Sequence, residues 1–258
     1  MRRYLPILYG IFFLIGCKGA VELTAPDVTY EVTSDGGGLS LSWSEQEDAE
    51  GYIIYADDVV VDTVTDLSYE MKTPAKVVKV TAYAGEEESD PWTHDFSPVI
   101  STGVSVWGLA DPDPDHPSGL GFDTEGNAVT YALLDTANWN NIDFVFDDKN
   151  FTTINIVTPN SSLYNSGQGI NDESNYTSDE QQVSFDSLDI APAAGSYYDH
   201  SELVVNGVFA SWIDPDGGAS PDANDNFIKF QVVKISGHEV QLKIAYQREG
   251  GLRWLVTR

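Results

Sequence analysis

Two stretches of the 258-residue sequence place carboxylates at the close spacing that hard cations favour. The richer stretch lies in the C-terminal half and supplies the candidate metal ligands Asp214, Asp216, Asp222 and Asp225. Calcium binds several carboxylate and carbonyl oxygens that converge from one turn, so calcium is the metal we expect there. The second stretch, Asp111–Asp115, departs from the EF-hand pattern because His116 takes the place of its glycine. In so acidic a chain, aspartate in turns is also expected without any metal, and both interpretations stay open.

The four histidines are the candidate iron ligands, because an imidazole binds iron through one nitrogen when a partner orients the other. His200 follows Tyr197 and Tyr198, whose rings could hold a flat ligand such as haem between them. His116 lies in a proline-rich loop. We therefore predict His200, His116 and the two tyrosines as ligand-binding residues. A surface histidine that binds nothing is the alternative at each position.

The sequence lacks the motifs that are typical of common catalytic sites. The chain has no Gly-x-Ser-x-Gly turn, no His-Glu-x-x-His pattern and no phosphate-binding glycine loop, and its single cysteine rules out an internal disulfide. Acidic residues number 41 against 13 lysines and arginines, which gives a formal net charge of −28. This charge disfavours nucleic acid as a partner, because its binding requires clustered lysine and arginine. We predict a non-enzymatic protein that does not bind nucleic acid.

Residues 1–16 have the features of a secretion signal. An apolar stretch from Tyr4 to Ile15 follows two arginines and is short for a membrane span. The glycine and Cys17 that come next resemble the bacterial lipobox, in which the signal is cut before a cysteine that receives lipid. The resemblance implies that Cys17 is the lipid anchor and that residues 17–25 form a linker. Because Lys18 follows the cysteine, it also implies an outer-membrane lipoprotein exposed at the cell surface. An ordinary signal peptide with an incidental cysteine is the alternative.

Residues 26–101 contain short alternating runs that are separated by turn signals. The run Leu39–Trp43 alternates with period two, Gly51–Tyr55 forms the next strand, and Asp57-Asp58 predicts a tight turn before a run of valines. This order is similar to that of the fibronectin type III family, with Trp43 as the core tryptophan. The resemblance implies a β-sandwich that serves as a spacer or a binding surface.

Residues 102–258 are long enough to form a core of their own, and helix signals are nearly absent. The strand-like runs are Ala128–Leu133, Ile142–Phe146, Thr152–Val157, Val183–Leu188, Leu203–Trp212, Phe227–Ile235 and Val240–Tyr246. The polar stretch Asn160–Gln182 is predicted to be a long loop. The segments Gly121–Val129, Trp139–Phe146 and Phe227–Val233 resemble strands of HmuY-like lipoproteins, all-β haem-capture proteins of the outer surface. The resemblance implies a larger antiparallel β domain that holds haem between two histidines, which no motif identifies here.

Together these features predict an all-β, lipid-anchored, two-domain protein that captures a ligand outside the cell, with haem and calcium as the candidate ligands. One alternative is an adhesion or glycan-binding protein that uses aromatic faces such as Trp107, Trp139 and Trp212. A structural surface protein with no small ligand is the other. Titration with haem distinguishes the first hypothesis from both alternatives.

Overall fold

The computed structural model describes residues 22–159, 161, 175–218 and 220–258. These residues form an all-β protein with four antiparallel sheets and two short 3-10 helices, Thr136–Asn141 and Phe185–Ser187. The predicted signal sequence, Cys17 and most of the predicted Asn160–Gln182 loop lie outside the described residues. No helix of the described part has the length and apolar content that a membrane crossing requires.

Two sheets formed by the first strands pack face to face, and we refer to them as the N-terminal sandwich. Its strands are β1 (Val28–Val32), β2 (Leu39–Trp43), β3 (Gly51–Ala56), β4 (Val59–Val64), β5 (Ser68–Met71), β6 (Val77–Ala84), β7 (Glu87–Glu88) and β8 (Trp92–Asp95). One sheet has the order β1-β2-β5, and the other has β4-β3-β6 with β7 and β8 both paired to β6. In β2 the apolar side chains are buried and the two serines are exposed, as period two requires. Leu41, Ile54 and Val80 are among the side chains that form the core.

The predicted turn at Asp57-Asp58 joins β3 to β4 and is confirmed. Both aspartates have positive φ values, 49° and 67°, which is the backbone of the tight hairpin turn. The carboxylate of Asp57 accepts hydrogen bonds from the backbone N–H groups of Lys76 and Val77 at 3.0 and 2.9 Å. The turn is therefore attached to the start of β6.

The remaining strands form two further sheets, which we refer to as the C-terminal body. Its described strands are β9 (Val99–Trp107), β10 (Gly119–Phe122), β11 (Ala128–Tyr131), β12 (Phe144–Asp147), β13 (Asn155–Val157), β14 (Tyr176–Ser178), β15 (Tyr197–Tyr198), β16 (His200–Glu202), β17 (Val208–Ile213), β18 (Asn226–Ser236) and β19 (Glu239–Tyr246). A five-stranded sheet has the order β11-β10-β12-β13-β16, and a six-stranded sheet has the order β15-β14-β17-β18-β19-β9. Phe144, Phe209 and Phe230 are among the buried residues of the main core.

The strand predicted at Val183–Leu188 is wrong, because the 3-10 helix Phe185–Ser187 lies there instead. Phe185 and Leu188 are both buried in the same cluster. Residues three apart share one side of a 3-10 helix, whereas they point to opposite faces of a strand. The burial of both side chains therefore favours the helix.

β9 crosses the domain boundary predicted between residues 101 and 102. It begins at Val99 and pairs with β19 as far as Trp107, which makes it an edge strand of the six-stranded sheet. The strand also leads directly out of the N-terminal sandwich, because β8 ends at Asp95. The connection between the two parts is therefore only three residues long, 96–98.

The C-terminal tail, residues 252–256, lies between the two parts of the protein. Leu252 and Trp254 are fully buried in the core of the N-terminal sandwich. Leu255 is buried instead in a cluster of the C-terminal body. The tail therefore contributes side chains to both cores in alternation, as an extended chain does between two surfaces.

Candidate metal site

Residues 214–225, which we refer to as the aspartate loop, connect β17 to β18. These strands pair antiparallel, and their last pair joins Ile213 to Asn226. Asp214 directly follows the first of these residues and Asp225 directly precedes the second. The register of the hairpin therefore places these two aspartates at its adjoining ends.

Three aspartates of this loop converge. One carboxylate oxygen from each of Asp214, Asp216 and Asp225 lies within 4.8 Å of the others. Asp214 and Asp225 are each 1% exposed, whereas Asp216 is exposed. Two carboxylate charges at about this separation repel by about 3 kcal/mol at an effective dielectric constant of about 20. A cation bound among the three groups would remove that repulsion.

The protein satisfies only part of the buried carboxylate of Asp225. Its Oδ2 accepts a hydrogen bond from the Asp222 N–H at 2.7 Å. Its Oδ1 is buried and has no hydrogen bond of normal length and angle among the described residues, although the side chain of Trp212 lies near enough to lower the pKa of the carboxyl as a donor. A buried acceptor without a partner costs about 1–3 kcal/mol of folding free energy. The unpaired oxygen is therefore available as a metal ligand.

Burial raises the pKa of the Asp225 carboxyl to about 6. The hydrogen bond from the Asp222 N–H lowers this pKa, and the negative charge of Asp214 raises it. At neutral pH the group is therefore still ionised, although its ionisation is costly. The ionised carboxylate is the form that binds a metal.

Asp214 is held in place by backbone groups on the loop and by a neighbouring strand. Its two oxygens accept hydrogen bonds from the N–H groups of Gly217 and Gly218 at 2.6 and 2.8 Å. Its own N–H donates to the Oδ1 of Asn175 at 2.9 Å. Asn175, which precedes β14, was not among the predicted site residues. The pairing of Tyr176 with Trp212 brings it next to Asp214, and that register is visible only in the folded protein.

Asp222, the fourth predicted ligand, does not belong to the cluster. Its Oδ1 accepts a hydrogen bond from the Asn224 N–H at 2.7 Å, which closes a turn inside the loop. The side chain of Asn224 in turn donates to Asp216 Oδ2 at 2.8 Å. The structure therefore brings three of the four predicted metal ligands together, and the fourth supports them through its backbone.

The second aspartate-rich stretch forms hydrogen bonds within itself. The carboxylate of Asp111 accepts from the Asp113 N–H at 2.9 Å, and that of Asp113 accepts from the Asp115 N–H at 3.1 Å. Asp111 Oδ1 also lies 3.0 Å from His116 Nδ1, and the His116 ring stacks on Trp107 with the centroids 4.4 Å apart. Over the described ranges, these side chains do not form a three-ligand group.

His200 lies at the start of β16 and is exposed. Its Nδ1 is 2.7 Å from Asp199 Oδ1, and its ring centroid is 5.1 Å from that of Phe151. His116 has a different set of neighbours, so the structure shows no contact between these two predicted ligands. Each histidine thus has a carboxylate beside its Nδ1.

Tyr197 and Tyr198 point to opposite faces of β15. The ring of Tyr197 packs against Trp212 with the centroids 6.0 Å apart, and its hydroxyl donates to the carbonyl of Pro192 at 2.9 Å. Tyr198 is 49% exposed. The structure therefore does not bring the two rings together as two walls of one site beside His200.

The three tryptophans considered for a glycan surface pack against different neighbours. Trp212 is buried and stacks on Phe227, with the ring centroids 5.9 Å apart. Trp139 is half-buried, and its Nε1 donates to the carbonyl of Leu133 at 2.8 Å. Trp107 is half-buried beneath the stacked ring of His116.

Comparison with protein-family models gives no match, and neither does comparison with curated proteins. Among solved structures, the chain is similar to the crystal structure of a DUF4466 family protein from Parabacteroides merdae, with 10% sequence identity and a TM-score of 0.40. The match covers 87% of this chain and 99% of that chain.

Proposed function

We propose that this protein is a non-enzymatic surface protein that binds calcium in its aspartate loop. The observation that carries the proposal is the Asp225 carboxylate, which is 1% exposed and has an unpaired oxygen beside two further carboxylates. An unpaired buried acceptor and the repulsion of like charges both cost folding free energy. A bound cation would remove both costs at once.

The ligand chemistry favours calcium over other metals. All three side-chain ligands are carboxylates, and no histidine or cysteine belongs to the group in the described part of the chain. Hard oxygen donors suit calcium and magnesium rather than zinc or copper. Calcium takes about six to eight oxygens in a flexible geometry, so water and carbonyl oxygens can complete the site. Magnesium requires a nearly ideal octahedron, which an irregular loop matches less well.

Isothermal titration calorimetry of the full mature protein with CaCl₂ tests this proposal. We expect a saturable site that binds magnesium at least about tenfold more weakly. Asp225→Asn and Asp216→Asn each remove one carboxylate charge and should weaken calcium binding by about tenfold or more. Asp179→Asn, at an exposed position of the same body, is the matched control and should leave the affinity unchanged. The absence of binding heat, or equal affinities in Asp225→Asn and Asp179→Asn, would reject the site.

We also propose that the protein is held at the outer membrane by lipid on Cys17. The support is in the sequence, where the only cysteine follows a signal-like apolar stretch. Acyl chains contribute about 0.8 kcal/mol per buried CH₂, so several chains on one residue anchor a protein firmly. Labelled palmitate should enter the wild type but not Cys17→Ser, and only the wild type should fractionate with membranes. Identical labelling or fractionation of the two forms would refute the anchor.

The N-terminal sandwich is proposed to be a fibronectin type III-like spacer. Its strand order, with β1-β2-β5 facing β4-β3-β6, supports the resemblance seen in the sequence. Trp43 packs against Tyr52 in its core, with the ring centroids 5.1 Å apart. In this arrangement the sandwich would separate the HmuY-like C-terminal body from the membrane. Antibodies against the C-terminal body should then label intact cells, and labelling only after lysis would contradict surface exposure.

Haem capture is a second candidate function, and the surroundings of His200 favour it. Asp199 orients the ring through Nδ1, and Nε2 has no partner among the described residues. An oriented imidazole with a free nitrogen beside the ring of Phe151 suits an axial iron ligand. Titration with haem should shift the Soret band in the wild type and in His116→Ala but not in His200→Ala. A band that never shifts, or that shifts equally in His200→Ala, would exclude haem ligation by His200.

A further inference from the structure

We infer that calcium in the aspartate loop holds the C-terminal tail in the N-terminal sandwich, so that the cation regulates how firmly the two parts are joined. The inference rests on the proposed calcium site. It adds a role that the site itself does not imply, because the metal ligands belong to the C-terminal body alone.

The tail is an integral part of the N-terminal sandwich. Trp254 is fully buried, and its ring lies 6.0 Å from that of Phe96 in an edge-on arrangement. Its Nε1 donates a hydrogen bond to the Gly37 carbonyl at 3.0 Å, and the Arg253 N–H donates to the Gly36 carbonyl at 2.9 Å. Two carbonyls of the turn between β1 and β2 thus accept hydrogen bonds from the tail.

The aspartate loop contacts the two glycines that directly precede the tail, Gly250 and Gly251. The Gly251 N–H donates to the Asp225 carbonyl at 2.8 Å. A Cβ atom at Gly250 would be 2.0 Å from the Ala223 carbonyl oxygen, and one at Gly251 would be 2.7 Å from that of Asp222. Gly251 also has a φ of +74°, which favours glycine. The loop and the glycine turn are therefore in close backbone contact.

Asp225 links the cation to the tail, because its side chain belongs to the metal cluster and its carbonyl binds Gly251. The loop also borders open space. A groove of about 440 Å³ lies between Pro221 and Ala223 of the loop and the end of β1, and the two glycines line it as well. Without a cation, the three carboxylates repel one another and can displace the loop towards this groove. With a cation, the loop backbone is fixed against the glycine turn and the tail is held.

Hydrogen exchange of the full mature protein tests the coupling. In saturating CaCl₂, exchange at the Gly251 and Arg253 amides should slow by about tenfold or more relative to chelator, because the first bonds to the aspartate loop and the second joins the tail to the N-terminal sandwich. Because coupling is reciprocal, Gly250→Ala should weaken calcium binding by about tenfold although residue 250 offers no metal ligand. Gly121→Ala is the matched control, since its Cβ would also meet a backbone oxygen, that of Asn141 at 1.9 Å, in the other sheet. Its calcium affinity should equal that of the wild type.

These experiments test the calcium site and its coupling to the tail separately. If calorimetry detects no calcium binding, the proposed function and this inference both fail. If calcium binds but exchange at Gly251 and Arg253 is unchanged, the calcium site stands and the coupling is refuted. Equal loss of affinity in Gly250→Ala and Gly121→Ala would also refute it, because the effect would then be general destabilisation. The exchange measurement on the wild type decides the question even where the alanine variants do not fold.

Discussion

Replacing Asp225 by asparagine should stabilise the calcium-free protein at neutral pH. Burial raises the pKa of this carboxyl from its usual 3.8 to about 6, so the folded state binds the proton more tightly than the unfolded state. Stability from this group is present below pH 4 and is lost as the pH rises towards 6. A difference of about two pKa units corresponds to at most about 3 kcal/mol at pH 7. Asp225 itself is buried, but Asp216 beside it is exposed and solvent at that edge of the cluster screens charge, so we expect about 1–2 kcal/mol.

The amide that Asp225→Asn introduces would also suit its surroundings. The amide oxygen can accept the hydrogen bond from the Asp222 N–H, and the NH₂ group can donate towards Asp214. In calcium at about 100 times the wild-type Kd, the advantage of the variant should shrink by about 1.3 kcal/mol or more. The wild type gains about 2.7 kcal/mol there, whereas the variant, whose Kd is at least about tenfold higher, gains at most about 1.4 kcal/mol.

Urea unfolding in EDTA and in CaCl₂, at pH 7 and pH 4, measures these differences. Asp225→Asn should exceed the wild type in stability by the largest margin in EDTA at pH 7, and the two should be equal at pH 4. Asp179→Asn serves as the control for loss of an exposed charge and should follow the wild type. Lower stability of Asp225→Asn than of the wild type in EDTA at pH 7, or equal stabilisation of both proteins by calcium, would refute the expected cost of ionising this group.

Three further results are expected. Calcium affinity measured by calorimetry should fall by about tenfold per pH unit below pH 6, because the proton then competes for Asp225; a flat profile between pH 4 and 6 would contradict this. Trp254→Ala should lower the free energy of unfolding by about 3–5 kcal/mol in a denaturant titration, because it leaves a large cavity in the N-terminal sandwich; a loss below about 1 kcal/mol would mean that the tail is not part of that core. Burial lowers the pKa of Lys229 to about 8, so the unfolded state holds its proton more tightly and stability should rise with pH between about 8 and 10. Lys229→Met should remove this rise, and it should also destabilise the protein because the carbonyls of Phe185 and Leu188 lose their donor; an unchanged pH dependence would reject the assignment.

The strands could be predicted well where burial alternates within the strand itself. β2 has the predicted limits, and β18 extends the predicted Phe227–Ile235 by one residue at each end. In such segments the pattern of apolar and polar residues carries the structural information locally. The strand prediction at Val183–Leu188 was wrong because apolar residues three apart fit a helix or a strand, depending on which neighbouring surfaces bury them.

The sequence indicates which loop carries the metal cluster, but it does not indicate which aspartates of that loop converge. Aspartate content points to the loop, whereas the pairing of Ile213 with Asn226 decides that Asp214 and Asp225 meet. Asp222 is excluded by a local turn with Asn224, which also occurs in loops that bind nothing. The position of the tail had no local signal at all, because it results from contacts between residues far apart in the chain.

The order of synthesis gives the tail a further consequence. Trp254 and its acceptor Gly37 are 217 residues apart, so the N-terminal sandwich emerges from the ribosome long before its last core residue exists. During translation, the core of the sandwich therefore stays incomplete until the last part of the C-terminal body has been made. A chain truncated before Trp254 would lack this side chain, and the open core of its sandwich would be exposed to proteases.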